Sequence, residues 1–225
     1  MGSPPVKGFG EGSVAIAAWA EETFRPEDPV LREIRERSLA AGLPAIAVGR
    51  MDGLHLEVLA RACGARRAVE IGTLGGYSGV CLLRGMGPDG RLDTFEASER
   101  HAAVARESFR LAGVEGRVRI HLGPALERLP DVEREGPFDL CFVDADKRSY
   151  VAYLDWAAEH LRPGGVLLAD NAFAFGGIAD PGDDPELREA SRHLRAFAER
   201  LVSCGRFRAT VLPTAEGLAL AVKVR

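Results

Sequence analysis

No apolar run in the sequence approaches the ~20 residues a helix needs to cross a bilayer. The longest, such as 165–169, fall far short, so a membrane span is not expected. Cysteine is scarce: Cys63, Cys81, Cys141 and Cys204 are widely spaced, with no C-x-x-C and no H-x-x-x-H. A disulfide-stapled scaffold and a Cys/His zinc site are therefore not expected, and the thiols read as reduced core residues. Charge of one sign is lacking too, since 29 Lys and Arg stand against 33 Asp and Glu for a net charge of −4. Interspersed charges leave no basic face to follow a phosphate backbone, so a small molecule is expected as partner rather than nucleic acid. The start, MGSPPVKGFGEG, has neither the basic stretch nor the apolar core of a secretion signal, and a cytoplasmic location is expected.

What is present is 225 residues with 46% apolar side chains, enough for one buried core. The expectation is a single domain over 1–225, divided into an N-terminal helical cap, 1–64, and an α/β core, 65–225. Helical spacing covers 13–23 and 28–41, with proline between them. A third helix is expected from Asp52 as N-cap to Cys63, ending at Gly64. From Arg67 onward, β-type runs at 68–71, 92–95, 118–121, 140–143 and 166–169 alternate with helices near 78–83, 99–112, 125–132 and 150–161. That alternation specifies parallel strands with crossover helices. An amphipathic helix then carries Leu187, Ala190, Leu194, Phe197 and Leu201, followed by two strands, 206–212 and 218–224. The short turn 213–217 makes the last pair antiparallel. The Gly, Asp and Pro content of 176–185 reads as a surface loop.

Two places in this frame carry chemistry. The run Glu70-Ile71-Gly72-Thr73-Leu74-Gly75-Gly76-Tyr77-Ser78 joins a buried strand to a helix, where open α/β sheets bind ligands. Leu74 stands where a dinucleotide fingerprint needs its second glycine, so the nicotinamide pattern fails. Taken alone, the run is equally a tight turn with no ligand. Glu96 ends the second strand, where a carboxylate accepts ribose hydroxyls; a helix cap is the plainer alternative. Asp144-Ala145-Asp146-Lys147-Arg148-Ser149-Tyr150 and Asp170-Asn171 follow the fourth and fifth strands and emerge at the same sheet edge. Carboxylates so placed repel unless a cation lies between them, and all-oxygen ligation favours a hard ion, magnesium or else calcium or manganese. Singly, the acids could cap helices, the Asp-Asn pair could be a turn, and the lysine could be a solvated surface residue.

The pattern E-x-G-x-x-x-G-Y-S resembles the first motif of class I S-adenosylmethionine (SAM) methyltransferases. D-A-D-K-x-x-Y and L-R-P-G-G-V-L-x-x-D-N are similar to the cation-dependent O-methyltransferases of the catechol and caffeoyl-coenzyme A type, a resemblance that covers the chain from Ile46 to Val224. It implies a Rossmann-like methyltransferase fold, a seven-stranded, mostly parallel sheet with an antiparallel last strand and helices on both faces. It implies a SAM site made by Val48, Glu70, Gly72, Gly76, Tyr77, Ser78, Glu96, Ala97, Ala125 and Asp144, in which Glu70 meets the methionine portion and Ser78 its carboxylate. It further implies Asp144, Asp170 and Asn171 as ligands of a divalent cation, Lys147 as general base and a small phenolic acceptor with vicinal hydroxyls. Asp146 is expected to cap or support rather than ligate. The chain departs from many relatives at Ala172-Phe173-Ala174-Phe175-Gly176-Gly177, where one phenylalanine is expected in the core and the other against the acceptor. A nicotinamide oxidoreductase and a non-catalytic SAM-binding homologue remain the alternatives; no Tyr-x-x-x-Lys pair supports the former. Trp19 and Phe24 give the first helix more apolar surface than it needs alone, which suggests a homodimer or packing on the chain's own sheet.

Overall fold

The computed structural model describes residues 14–225, so the expected helix start at Ser13 and the opening MGSPPVKGFGEG lie outside the described residues. Three helices come first: α1 (Val14–Phe24), α2 (Pro29–Ala40) and α3 (Arg50–Ala62). The core then alternates β1 (Arg67–Ile71), α4 (Tyr77–Gly85), β2 (Arg91–Glu96), α5 (Glu99–Leu111), β3 (Val118–Leu122), α6 (Ala125–Arg128), β4 (Phe138–Val143), α7 (Tyr150–His160) and β5 (Leu161–Ala169). It closes with α8 (Pro185–Ser203), β6 (Phe207–Leu212) and β7 (Leu218–Lys223). Strand order is β3-β2-β1-β4-β5-β7-β6. The first five strands run parallel, and β7 lies antiparallel to both β5 and β6. This is the sheet that the resemblance implied. Among the described residues no helix is long and apolar enough to cross a membrane.

Strand alternation divides the core in two. Val69, Ile71, Phe95, Cys141, Val143, Leu167 and Ala169 face Tyr150, Leu154, Ala157, Leu194 and Phe197 of α7 and α8. Ala68, Leu92, Leu140, Phe142, Val166 and Leu168 face Leu56, Ala60, Val80, Leu83, Ala105 and Phe109 of α3, α4 and α5. Strands buried on both faces are what two helical layers require. Caps set several helix starts: Asp28 accepts from the Leu31 N–H at 2.9 Å with Pro29 beginning α2, and Asp184 accepts from the Glu186 N–H at 2.9 Å with Pro185 beginning α8.

Three expectations need correction. The N-cap of α3 is Gly49, not Asp52; Asp52 falls inside the first turn with its side chain turned inward, 7% exposed. A Cβ at 49 would lie 2.8 Å from Asp52 Oδ2, so a larger residue there would have to displace that carboxylate. The expected helix over 125–132 stops at Arg128 and continues as 3₁₀ turns at Leu129–Asp131 and Glu133–Glu135. Pro130 explains this, since it has no N–H to return to an earlier carbonyl and its ring crowds the preceding turn. The fifth strand begins at Leu161 rather than 166, with a register shift against β4 between Phe138 and Leu140.

Candidate active site

The parallel ladder carries the strand ends in step. Gly72 N–H donates to Phe95 O at 3.0 Å, Asp144 N–H to Ile71 O at 2.8 Å, and Asp170 N–H to Val143 O at 3.0 Å. The segments that follow β1, β2, β4 and β5 therefore open at one edge, around a cavity of about 610 Å³. That volume lies in the range of small-molecule sites. Gly72 has a φ of +100°, and a Cβ there would lie 2.0 Å from the Asp144 carbonyl oxygen, so the first turn and the acidic segment touch backbone to backbone. Gly76 caps α4 in the left-handed region, φ +85°, which only glycine adopts freely.

Of the residues expected at a cofactor, Val48, Gly72, Tyr77, Ser78, Glu96, Ala97, Ala125 and Asp144 line the cavity, and Glu70 and Gly76 do not. Glu70 sits one layer deeper, fully buried on the α4 side of the sheet. Its two oxygens accept from Ser78 Oγ and Thr94 Oγ1, both at 2.6 Å, so it reaches the cavity only through Ser78. Glu96 is pinned at the rim: its oxygens accept from the Leu74 N–H at 2.8 Å and the Ser98 N–H at 2.9 Å. It is not the cap of α5, a role taken by Ser98. A carboxylate held by two backbone donors still has lone pairs to offer. The Val48 carbonyl is fixed by Arg35 at 3.1 Å, and Arg35 also pairs with Glu27 at 2.9 Å and lies over the Tyr77 ring, 4.3 Å from its centroid. Through these contacts α2 and the segment before α3 close one wall.

At the opposite wall stand Asp144, Lys147 and Asn171. Lys147 Nζ lies 3.3 Å from Asp144 Oδ1 and 2.7 Å from the Tyr150 hydroxyl. Asp170 is 5% exposed and stands behind the lining, its Oδ1 buried without a hydrogen-bond partner. Asn171 takes φ +60°, a left-handed conformation that Asn tolerates. Asp146 caps the turn 147–149 through the Ser149 N–H at 3.1 Å and accepts from the Tyr153 hydroxyl at 2.8 Å, as expected of a supporting acid. Among the described residues no three His, Cys, Asp or Glu side chains form a metal-holding group. The donor set here is two carboxylates and an amide, and the orphaned Asp170 Oδ1 fits a cation as its missing partner.

The sequence did not mark as site residues His101, whose Nδ1 lies 3.4 Å from Glu96 Oε1 and which lines the cavity, nor Asp52, expected only as a helix cap, whose charge bears on Asp170. His101 lies five residues beyond Glu96 in the first turn of an amphipathic helix, a position with no local signal. Of the two phenylalanines, Phe175 lines the cavity, 54% exposed, while Phe173 packs on Gly217, where a Cβ would come within 2.7 Å of its ring. Ala174 and Phe175 both have positive φ, 51° and 54°, so the loop carrying the wall is strained.

Burial, and secondarily the charge of Asp144, pushes the Asp170 carboxyl up to about 7. Burial likewise raises Glu70 to about 7, against two hydroxyl hydrogen bonds that favour its anion. A carboxyl raised above its unfolded value costs the fold stability, a cost that is absent below the unfolded value of 3.8, grows as pH rises from there, and is complete once pH passes the folded value of about 7. For the cation-free protein, Asp170→Asn is expected to raise Tm by about 2–4 °C at pH 8 and to give a smaller gain at pH 5. Thermal melts at both pH values, with chelator present, check this; an equal effect at both would contradict the cause given.

The chain was compared with known proteins. A family model described as O-methyltransferase matches residues 21–224. A catechol O-methyltransferase of Mycobacterium tuberculosis is 45% identical over 184 residues, covering 82% of this chain and 83% of that protein. One of Niastella koreensis is 36% identical over 200 residues, covering 87% and 90%. The crystal structure of an O-methyltransferase from Bacillus cereus, in complex with SAH, superposes with a TM-score of 0.84 at 37% identity, covering 93% of this chain and 97% of that one. With matches of this extent the nicotinamide alternative falls, and the chain belongs to the O-methyltransferase family.

Proposed function

We propose that the chain moves a methyl group from SAM to a hydroxyl of a small catechol-like acceptor, with a divalent cation held by Asp144, Asp170 and Asn171. The observation that carries this reading is Asp170, a buried carboxylate with an unpartnered oxygen, beside a second acid at the next strand end. Oxygen donors alone favour magnesium, with calcium or manganese as the other choices. Bound there, a divalent cation supplies Lewis acidity that lowers the pKa of an acceptor hydroxyl and suits two adjacent oxygens. The names of the two curated relatives support the acceptor class.

The remaining duties fall to the chain's own groups. Glu96, pinned by two backbone donors, accepts from the ribose hydroxyls of SAM, and Ala97 and Ala125 border the adenosine. The α4 N-terminus, with Gly76, Tyr77 and Ser78, offers N–H groups and positive potential to the methionine carboxylate. Glu70 fixes Ser78 from behind. Lys147 takes the proton of the acceptor hydroxyl, and Phe175 forms the apolar wall against the acceptor ring. Methyl transfer is an in-line displacement, so alignment of donor and acceptor is the greater part of catalysis.

In the same reading, two copies of the chain meet through α1. Trp19 and Phe24 stack edge to face with centroids 6.0 Å apart, and each is 58% exposed, so neither is spent on the chain's own sheet. Light scattering should give a dimer that Trp19→Ser converts to monomer; a monomeric wild type would sink this contact.

With SAM and catechol, excess EDTA should abolish transfer while calorimetry still detects SAH binding. Full turnover in EDTA would remove the cation from the reading, and absence of SAH binding would remove the donor.

A further inference from the structure

Tyr150 opens α7 and is fully buried. Its ring meets Phe197 edge-on at 5.5 Å and stands 6.5 Å from Tyr153, contacts that fix its plane. Its hydroxyl is surrounded by three groups. The carbonyl oxygens of Val143 and Asp170, at 3.4 and 3.3 Å, can only accept, and Lys147 Nζ at 2.7 Å donates. The two main-chain carbonyls are the acceptors within reach of the phenolic proton, and the phenolic oxygen accepts from the lysine. Those carbonyls belong to the ends of β4 and β5, so the residue braces the base against the strand ends that carry Asp144 and Asp170.

Lys147 Nζ donates to Tyr150 Oη at 2.7 Å and to Asp144 Oδ1 at 3.3 Å, and the side chain lines the cavity. We infer that Tyr150 is a positioning residue that, together with Asp144, holds Lys147 Nζ at the cavity where the acceptor hydroxyl meets it. The inference rests on the proposed role of Lys147 as base and deepens it. In the step it serves, the acceptor O–H bond breaks and leaves its electron pair on oxygen, and the proton forms the third N–H bond of Lys147. The oxygen then bonds to the methyl carbon as the S–CH₃ bond breaks, and that bonding pair returns to sulfur, converting the sulfonium to a thioether. The ammonium, 16% exposed, releases its proton to solvent through the cavity.

The test is a double-mutant cycle on SAM and catechol turnover, using Tyr150→Phe, Lys147→Ala and the pair. Tyr150→Phe should lower kcat about tenfold, with the acceptor KM and SAH affinity within about twofold of wild type. In the Lys147→Ala background the same substitution should cost nothing more. Equal losses in both backgrounds, or an undiminished kcat in Tyr150→Phe alone, would overturn the inference and leave the base in place. Wild-type turnover by Lys147→Ala would overturn the base itself, and the inference with it. Unchanged SAH affinity shows that Tyr150→Phe folds; should it fall, 3-fluorotyrosine at 150, a weaker acceptor of the same shape, should lower kcat in the same direction, and an unchanged kcat would overturn the inference.

Discussion

Two carboxylates at adjacent strand ends, Asp170 buried and Asp144 at the cavity wall, are the constraint around which the rest of this site is arranged. The Asp144 and Asp170 N–H groups are tied to the neighbouring strands, so neither residue can retreat without breaking the sheet's last hydrogen bonds. Burial and mutual repulsion disfavour their joint ionisation, and Asp170 bears the consequence as a raised pKa. A structure that keeps such an arrangement holds energy that a bound positive charge releases. Lys147, drawn to Asp144 and the Tyr150 hydroxyl, supplies part of that charge, yet leaves Asp170 Oδ1 without a partner.

The opposite side of the cavity is organised by close approach of glycine backbone together with an ion-pair network. At Gly72 the first turn and the acidic segment touch, and at Gly75 a Cβ would lie 2.1 Å from Ser38 Oγ of α2. Glu96 is then held by two amide donors, and the Arg35–Glu27–Tyr77 network ties the N-terminal helices to α4. The helical cap therefore forms one wall of the site. The two walls meet at the backbone of residues 72 and 144, so a shift in either moves the other.

The parallel part of the sheet was legible in the sequence because its signals are local: β-type runs of four residues, each followed within two residues by glycine or an acid, alternating with helical spacing. The joint placement of Asp144, Asp170 and the glycine-rich turn followed from parallel connectivity alone. Other features were not local. Asp52 sits before an apolar helical run as an N-cap does, and only packing turns it inward in place of Gly49. The depth of Glu70 was readable: it alternates with Val69 and Ile71, so it must face the α4 side, yet the motif drew attention to the cofactor instead. Pro130 within the segment 125–132 announced the break in α6. Tyr150 stood in the quoted D-A-D-K-x-x-Y pattern, three residues from Lys147, where the first turn of a helix brings side chains together; only the structure shows which carbonyls take its proton. Which phenylalanine faces the cavity depends on the left-handed backbone of Ala174 and Phe175, for which neither residue type gives any sign.

The central claim is that these oxygens share one ion. Manganese soaked into crystals of the protein with SAH, and located by its anomalous scattering, tests that claim most directly. The account predicts a single strong peak within coordination distance of oxygens from Asp144, Asp170 and Asn171. A map with no peak there at saturating manganese, or with the ion bound elsewhere, would contradict it.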